Sequence, residues 1–253
     1  MKITILGKSP SWQDEGGACS GYLVEGASTT LLVDCGSGVF ARLREVTDYR
    51  ELDAVLITHF HADHVLDLVP FAYALTFSPL GPATNRPELI VPAGGTKILH
   101  SLAELWGPAD IIEEAFQVVE YEPDDIASAG EFTIRFQPVP HYVPTFAVDI
   151  RAGEEGPRFT FGADCAPNEG LVEFARETDF LLIEATLREP EDDEPRGHLT
   201  AIEAGEHARA AGARRVVITH ITDELDQELS RSQAEEAFGG PVELARSGAV
   251  IEL

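Results

Sequence analysis

The stretch Ala54-Val55-Leu56-Ile57-Thr58-His59-Phe60-His61-Ala62-Asp63-His64 decides how this chain is read. Its opening residues form a short apolar run, the mark of a buried strand. The six that follow carry four side chains able to ligate a metal. On extended backbone, residues two apart point the same way, so His59 and His61 can grip one ion from a single side. A turn then lets Asp63 and His64 face a second ion nearby. Imidazole suits zinc, iron, copper or nickel, and a carboxylate beside it suits a hard, water-bearing cation. A surface loop that happens to hold three histidines is the bland alternative; the spacing at a strand end favours metal binding.

Two ions need further donors, and three candidates each follow an apolar run, where loops converge. His141 comes after Phe136-Gln137-Pro138-Val139-Pro140, Asp164 after Phe159-Thr160-Phe161-Gly162-Ala163, and His220 after Val216-Val217-Ile218-Thr219. Any one alone reads as a structural histidine or a capping aspartate. Together they form a constellation at matching strand-to-loop transitions. His100, within a helical pattern, and His207, on a mostly polar helix, read as structural.

The bulk numbers bound the rest. At 253 residues with 44% hydrophobic content, the chain suits one soluble globular domain spanning 1–253. Its formal charge of −26, with lysine only at positions 2, 8 and 97, repels phosphate backbones, and no basic patch overrides it. Stable nucleic-acid binding is therefore not expected; the acidity reads as surface solvation. Cys19, Cys35 and Cys165 give an odd count without a Cys-x-x-Cys pair, which fits a reducing compartment. The first apolar run, Ile3 to Leu6, is too short for a signal-peptide core, and no stretch suffices to span a bilayer. A cytoplasmic protein without a membrane partner is the expectation, with a homodimer as the default assembly.

The apolar patterns predict strands over 3–6, 21–25, 30–34, 54–58, 89–91, 132–138, 145–151, 158–162, 180–184 and 216–219. They predict helices over 39–46, 65–77, 96–106, 169–176 and 201–211, with Pro70 tolerable only near a first turn and Gly212 as a stop. Residues 78–86, rich in Pro and Gly, read as a loop, and the charge run Glu189 to Glu194 as a solvated one. Strands before helices, repeated once, suggest two facing sheets with helices outside.

The ordered set His59-x-His61-x-Asp63-His64, His141, Asp164 and His220 resembles the metallo-β-lactamase superfamily, and Asp34 in Leu32-Val33-Asp34-Cys35-Gly36 matches that family's early aspartate. The resemblance spans nearly the whole chain. It implies an α/β fold, an αββα four-layer sandwich, with a binuclear site at one edge. His59, His61 and His141 would hold one metal, Asp63, His64 and His220 the other, and Asp164 would bridge them. Leu182-Ile183-Glu184-Ala185-Thr186 and Gly197-His198-Leu199-Thr200-Ala201 are similar to the glutamate and histidine segments of ribonuclease Z-like enzymes. Physically, Glu184 could orient the His198 ring and raise its basicity, leaving an imidazolium aimed at a phosphate oxygen. The plain alternative is that Glu184 ends a strand and His198 precedes a helix capped by Thr200.

Departures narrow the expectation. Ribonuclease Z enzymes that process tRNA carry a long basic arm, yet only about two dozen residues separate His141 from Asp164. Cys165 stands beside Asp164 as a packing residue rather than a ligand. The reading is thus a hydrolase using two divalent ions, zinc first and manganese or iron behind it, on small nucleotide or cyclic nucleotide phosphodiesters. Asp63, Glu184 and His198 are its catalytic candidates. The alternatives are a ribonuclease Z-like endonuclease, a hydrolase of carboxylic esters, thioesters or lactones, and, further off, a non-catalytic ligand sensor.

Overall fold

Among the described residues, buried apolar side chains fall into three clusters, and their membership dictates the layering. The computed structural model describes residues 1–191 and 195–253, so the last three positions of the charge run Glu189 to Glu194 lie outside the described residues. The first half contains β1 (Lys2–Gly7), β2 (Gly21–Glu25), β3 (Thr30–Val33), α1 (Val39–Val46), β4 (Ala54–Leu56), α2 (Ala62–Val65), α3 (Leu68–Phe77), β5 (Glu88–Pro92), α4 (Gly95–Glu104), α5 (Ile111–Ala115) and β6 (Gln117–Tyr121). The second contains β7 (Ile126–Ala129), β8 (Phe132–Val139), β9 (Thr145–Ala152), β10 (Arg158–Phe161), α6 (Glu169–Phe174), β11 (Phe180–Glu184), α7 (Ala201–Ala211), β12 (Val216–Thr219), α8 (Gln227–Phe238), β13 (Val242–Leu244) and β14 (Val250–Glu252).

These strands form two seven-stranded sheets, ordered β14-β1-β2-β3-β4-β5-β6 and β13-β12-β11-β10-β9-β8-β7. Each has a parallel block, β3 to β6 and β10 to β13, continued by antiparallel strands. Strands in a parallel block all end at one edge, and open α/β sheets bind ligands outside those carboxyl ends.

The inner faces meet in a cluster that joins Ile5, Tyr22, Val33 and Leu56 of the first sheet to Phe132, Phe159, Phe161 and Leu182 of the second. The two outer faces are covered separately, one by α1, α3, α4 and α5, the other by α6, α7 and α8. This is the expected αββα sandwich. The alternation of β8, buried at every other position until Pro138, is what lets one face enter the core while the other meets water.

Several local expectations sharpen. The helix expected over 65–77 starts later, as α3 at Leu68, after a separate short α2 that ends at Val65, and Pro70 is the third residue of α3, where its missing N–H costs no helical bond. The helix expected over 96–106 ends at Glu104. Thr200 and Glu203 form a reciprocal capping box on α7, and Gly212 ends it with φ +66°. Gly205 lets α8 approach α7, because a Cβ there would lie 2.4 Å from the Ala234 carbonyl oxygen.

Candidate metal centre

The donors leave the ends of β3, β4, β8, β10 and β12, and three of those exits use left-handed backbone. Asp34 (φ 59°), Ala163 just before Asp164 (φ 52°) and His220 itself (φ 58°) all adopt it without being glycine. Such residues cost of order 1–3 kcal/mol each and concentrate at functional sites. Gly36 allows the ligand loop to seat, since a Cβ there would lie 1.8 Å from the Asp63 carbonyl oxygen.

Two donor groups take the expected ligands, each with its ligand atoms mutually within 4.8 Å: His59, His61, His141 and Asp164, and Asp63, His64, Asp164 and His220; a third among the described residues joins Glu184, His198 and His220. In the first, His61 Nδ1 lies 3.2 Å from His59 Nε2 and 3.0 Å from His141 Nε2, while Asp164 Oδ2 is 3.9 Å from His59 Nε2. In the second, Asp164 Oδ2 is 3.4 Å from His64 Nε2 and 3.3 Å from His220 Nε2, and Asp63 Oδ2 is 3.6 and 3.2 Å from the same nitrogens. A tetrahedron with metal–ligand bonds of about 2.0–2.1 Å has edges of about 3.3 Å. The donor spacing therefore fits cations of zinc's size, with Asp164 common to both groups. His64 Nε2 and Asp164 Oδ1 are also buried without a hydrogen-bond partner, which proteins rarely tolerate unless an ion or water satisfies them.

Neighbouring groups orient the donors. Asp34, wholly buried, takes Thr58 N–H on Oδ1 (2.9 Å) and the Nδ1–H of His64 on Oδ2 (2.7 Å), which turns His64 Nε2 toward the centre. The Thr58 hydroxyl bonds the same carboxylate and lies 3.1 Å from His59 Nδ1. His141 Nδ1–H donates to the Gly197 carbonyl (2.8 Å). Ser11 N–H donates to Asp63 Oδ2 (2.8 Å), tethering the N-terminal loop to a candidate ligand. That such partners fix ring orientation is general for ligating histidines.

Electrostatics suits ligation. Burial holds His59 well below the usual imidazole range and lowers His61 and His141, leaving neutral rings with lone pairs to give. Burial pushes Asp164 and Asp63 upward, but the surrounding histidines, His220 foremost, more than reverse it and keep both carboxylates ionised. The Cys165 thiol is driven well above its ordinary value by burial and by Glu184 and Asp164; it joins neither donor group, and its backbone N–H donates to Glu184 Oε1 (2.8 Å).

At the rim, Glu184, with 0% exposure, takes His198 Nδ1–H on Oε1 at 2.9 Å. Burial lowers the basicity of His198, yet the Glu184 charge and hydrogen bond, helped by Asp164, outweigh it and lift its pKa to about 9. His198 stands against His141, with ring centroids 5.0 Å apart, and against His220, at 5.6 Å. His100 pairs with Glu113, and His207 bonds Glu203 O and accepts Asn168 N–H; neither belongs to a donor group.

Comparison with known proteins agrees with this geometry. The sequence model of the beta-lactamase superfamily domain matches residues 29–221. The "Probable metallo-hydrolase YhfI" of Bacillus subtilis is 32% identical over 261 residues, covering all of both chains. A crystal structure of YhfI superposes with TM-score 0.87 at 28% identity, covering 99% of each chain. A Ribonuclease Z of Myxococcus xanthus is 28% identical over 309 residues, covering 100% of this chain and 98% of that protein. The fold also matches human tRNase Z, short form, at TM-score 0.76 and 23% identity, with 100% and 99% of the two chains covered. The chain belongs to the metallo-β-lactamase superfamily and is a metallo-hydrolase of that fold.

Proposed function

We propose that this protein is a phosphodiesterase acting on small nucleotide or cyclic nucleotide phosphodiesters, with His59, His61, His141, Asp63, His64, His220 and the shared Asp164 holding two divalent ions, zinc first. The observation that carries the reading is the buried Glu184–His198 pair, which keeps a protonated imidazole at the edge of the donor groups. Hydrolysis of a thioester or lactone develops charge on one carbonyl oxygen, whereas a phosphoryl group in displacement spreads charge over several oxygens and gives a further cation at that edge more to meet.

When bound, the ions supply Lewis acidity toward a phosphoryl oxygen and lower the pKa of attacking water toward neutrality. The chain's own groups do the rest. His198 offers its Nε2–H to the substrate, because Nδ1–H is committed to Glu184. It stabilises charge growing on the phosphoryl oxygens and is the donor that protonates the leaving oxygen. Asp63, held by Ser11 N–H, orients the attacking water and accepts its proton. Cytoplasmic residence is supported by three unpaired, buried cysteines, and no helix among the described residues is long and apolar enough to cross a membrane.

The test is turnover of bis(p-nitrophenyl) phosphate by His198→Ala with metal content measured alongside. A loss of about 100-fold in kcat with metal retained is expected, the size typical of removing one donor from a developing oxyanion; full activity would sink the phosphate role. A ribonuclease Z-like endonuclease is the second reading, favoured by the whole-length match to a protein of that name. Between His141 and Asp164 the chain has room only for β9, β10 and their short loops, with no inserted arm. Cleavage of a tRNA precursor at rates matching small diesters would favour that reading instead.

A further inference from the structure

Parallel pairing of β11 with β12 sets Glu184 level with Thr219. Ala185 N–H then bonds Thr219 O at 3.0 Å, extending the pairing by one step. The next residue on one side is Thr186, and on the other it is His220. Their side chains meet: Thr186 Oγ1 lies 2.8 Å from His220 Nδ1 and 2.5 Å from Glu184 Oε2.

The proton directions follow from counting donors. Glu184 Oε1 already takes His198 Nδ1–H and Cys165 N–H. Oε2 takes Leu199 N–H at 3.2 Å and Thr186 N–H at 3.3 Å. With donors on every side, this carboxylate acts only as an acceptor. The single hydroxyl proton of Thr186 therefore goes to Glu184, and an oxygen lone pair is left facing His220. His220 Nδ1 must then carry a proton, so the ring nitrogen left to give a lone pair to a cation is Nε2, the atom that faces Asp63 and Asp164.

We infer that Thr186 is a positioning residue that locks His220 in its metal-binding tautomer, so that one buried carboxylate governs two imidazoles: His198 directly and His220 through a hydroxyl. A β-branched residue serves this well, since its χ1 freedom is small and the hydroxyl stays aimed. The inference rests on the donor groups holding metal and not on the substrate class, so failure of the phosphodiesterase reading leaves it standing.

The test is a titration of the metal-free full chain with Co²⁺, followed by visible absorption and calorimetry, comparing wild type, Thr186→Val and Thr186→Ser. His220→Ala marks which binding step belongs to the Asp63, His64 and His220 group. Thr186→Val should weaken that step about 10- to 100-fold, the usual cost of losing a partner of a ligating histidine. It should leave the other step within about twofold, and Thr186→Ser should restore the loss. The inference is overturned if Thr186→Val binds both ions with wild-type constants, if both steps weaken alike, or if serine does no better than valine. Should valine prevent folding, Thr186→Ala takes its place in the same comparison.

Discussion

Asp34 Oδ2 and His64 Nδ1 stand 2.7 Å apart with no exposure of either side chain, and they join the end of β3 to the helix that carries two of the candidate ligands. His64 is lifted well above the ordinary range: burial works against its charge, but Asp164 and Asp34 prevail. In the metal-free chain this ring therefore holds a proton that a cation must displace, so metal binding releases protons. Asp34→Asn keeps the shape and removes the charge. It should weaken metal affinity by about tenfold or more and reduce the protons released, both read by calorimetry in buffers of different ionisation enthalpy.

The Glu184–His198 pair sets a pH dependence. His198 has a folded pKa of about 9 against an ordinary 6.5. A raised pKa means the pair's contribution is fully present below about pH 6.5 and is lost as pH rises through about 9. Denaturant midpoints of wild type and His198→Gln should therefore differ most below that window and converge above it. Turnover should share an alkaline limb near the same value, and Glu184→Gln should move that limb to lower pH.

Removing metal should expose the cost of gathering these donors. With ion at about 100 times its Kd, binding adds about 2.7 kcal/mol to the folded state, and for a chain of this size each kcal/mol moves Tm by about 2–4 °C. Chelation should lower Tm by about 5–10 °C, and added Zn²⁺ or Mn²⁺ should restore it. An unchanged Tm on chelation, with no metal found by elemental analysis, would count against a bound ion.

Lys8 ties two loops beside the centre. Its ammonium pairs with Asp14 and donates to the Ile221 carbonyl at 2.7 Å, next to His220. Asp14 in turn accepts Asp223 N–H (3.1 Å), and Asp223 accepts Glu15 N–H (3.1 Å). Lys8→Met should cost about 2 kcal/mol, as expected for losing charge-assisted bonds. It should also raise amide exchange over 8–17 and 220–226 before any other region.

Much of the αββα layering was legible because apolar runs mark the strands of both inner faces. The elements that periodicity misses have little to bury or, like β7 (Ile126–Ala129) and α5 (Ile111–Ala115), are too short to show a period. β6 is exposed at three of its five positions, α8 buries only Ala234, and β13 and β14 are three residues each. A sheet edge or an outer helix is held by its neighbours, so its own spacing carries little signal. Similarly, the apolar density of Val65 to Phe77 hides that α3 begins only at Leu68, with Asp67 before it.

For the centre itself, clustering within 59–64 and the repeated motif of a donor after an apolar run are local properties, and they were enough to name the metal-ligand candidates. The fold then decided what local order cannot contain. Ser11 N–H reaches Asp63 from 52 positions away, and Thr186 bridges Glu184 to His220 only because β11 and β12 run parallel in that register. Asp164 sits between both donor groups because the two sheets face each other. Residue type at a strand end is written in the chain, whereas the choice of partner depends on strand order and register, which arise only when distant apolar faces are buried together.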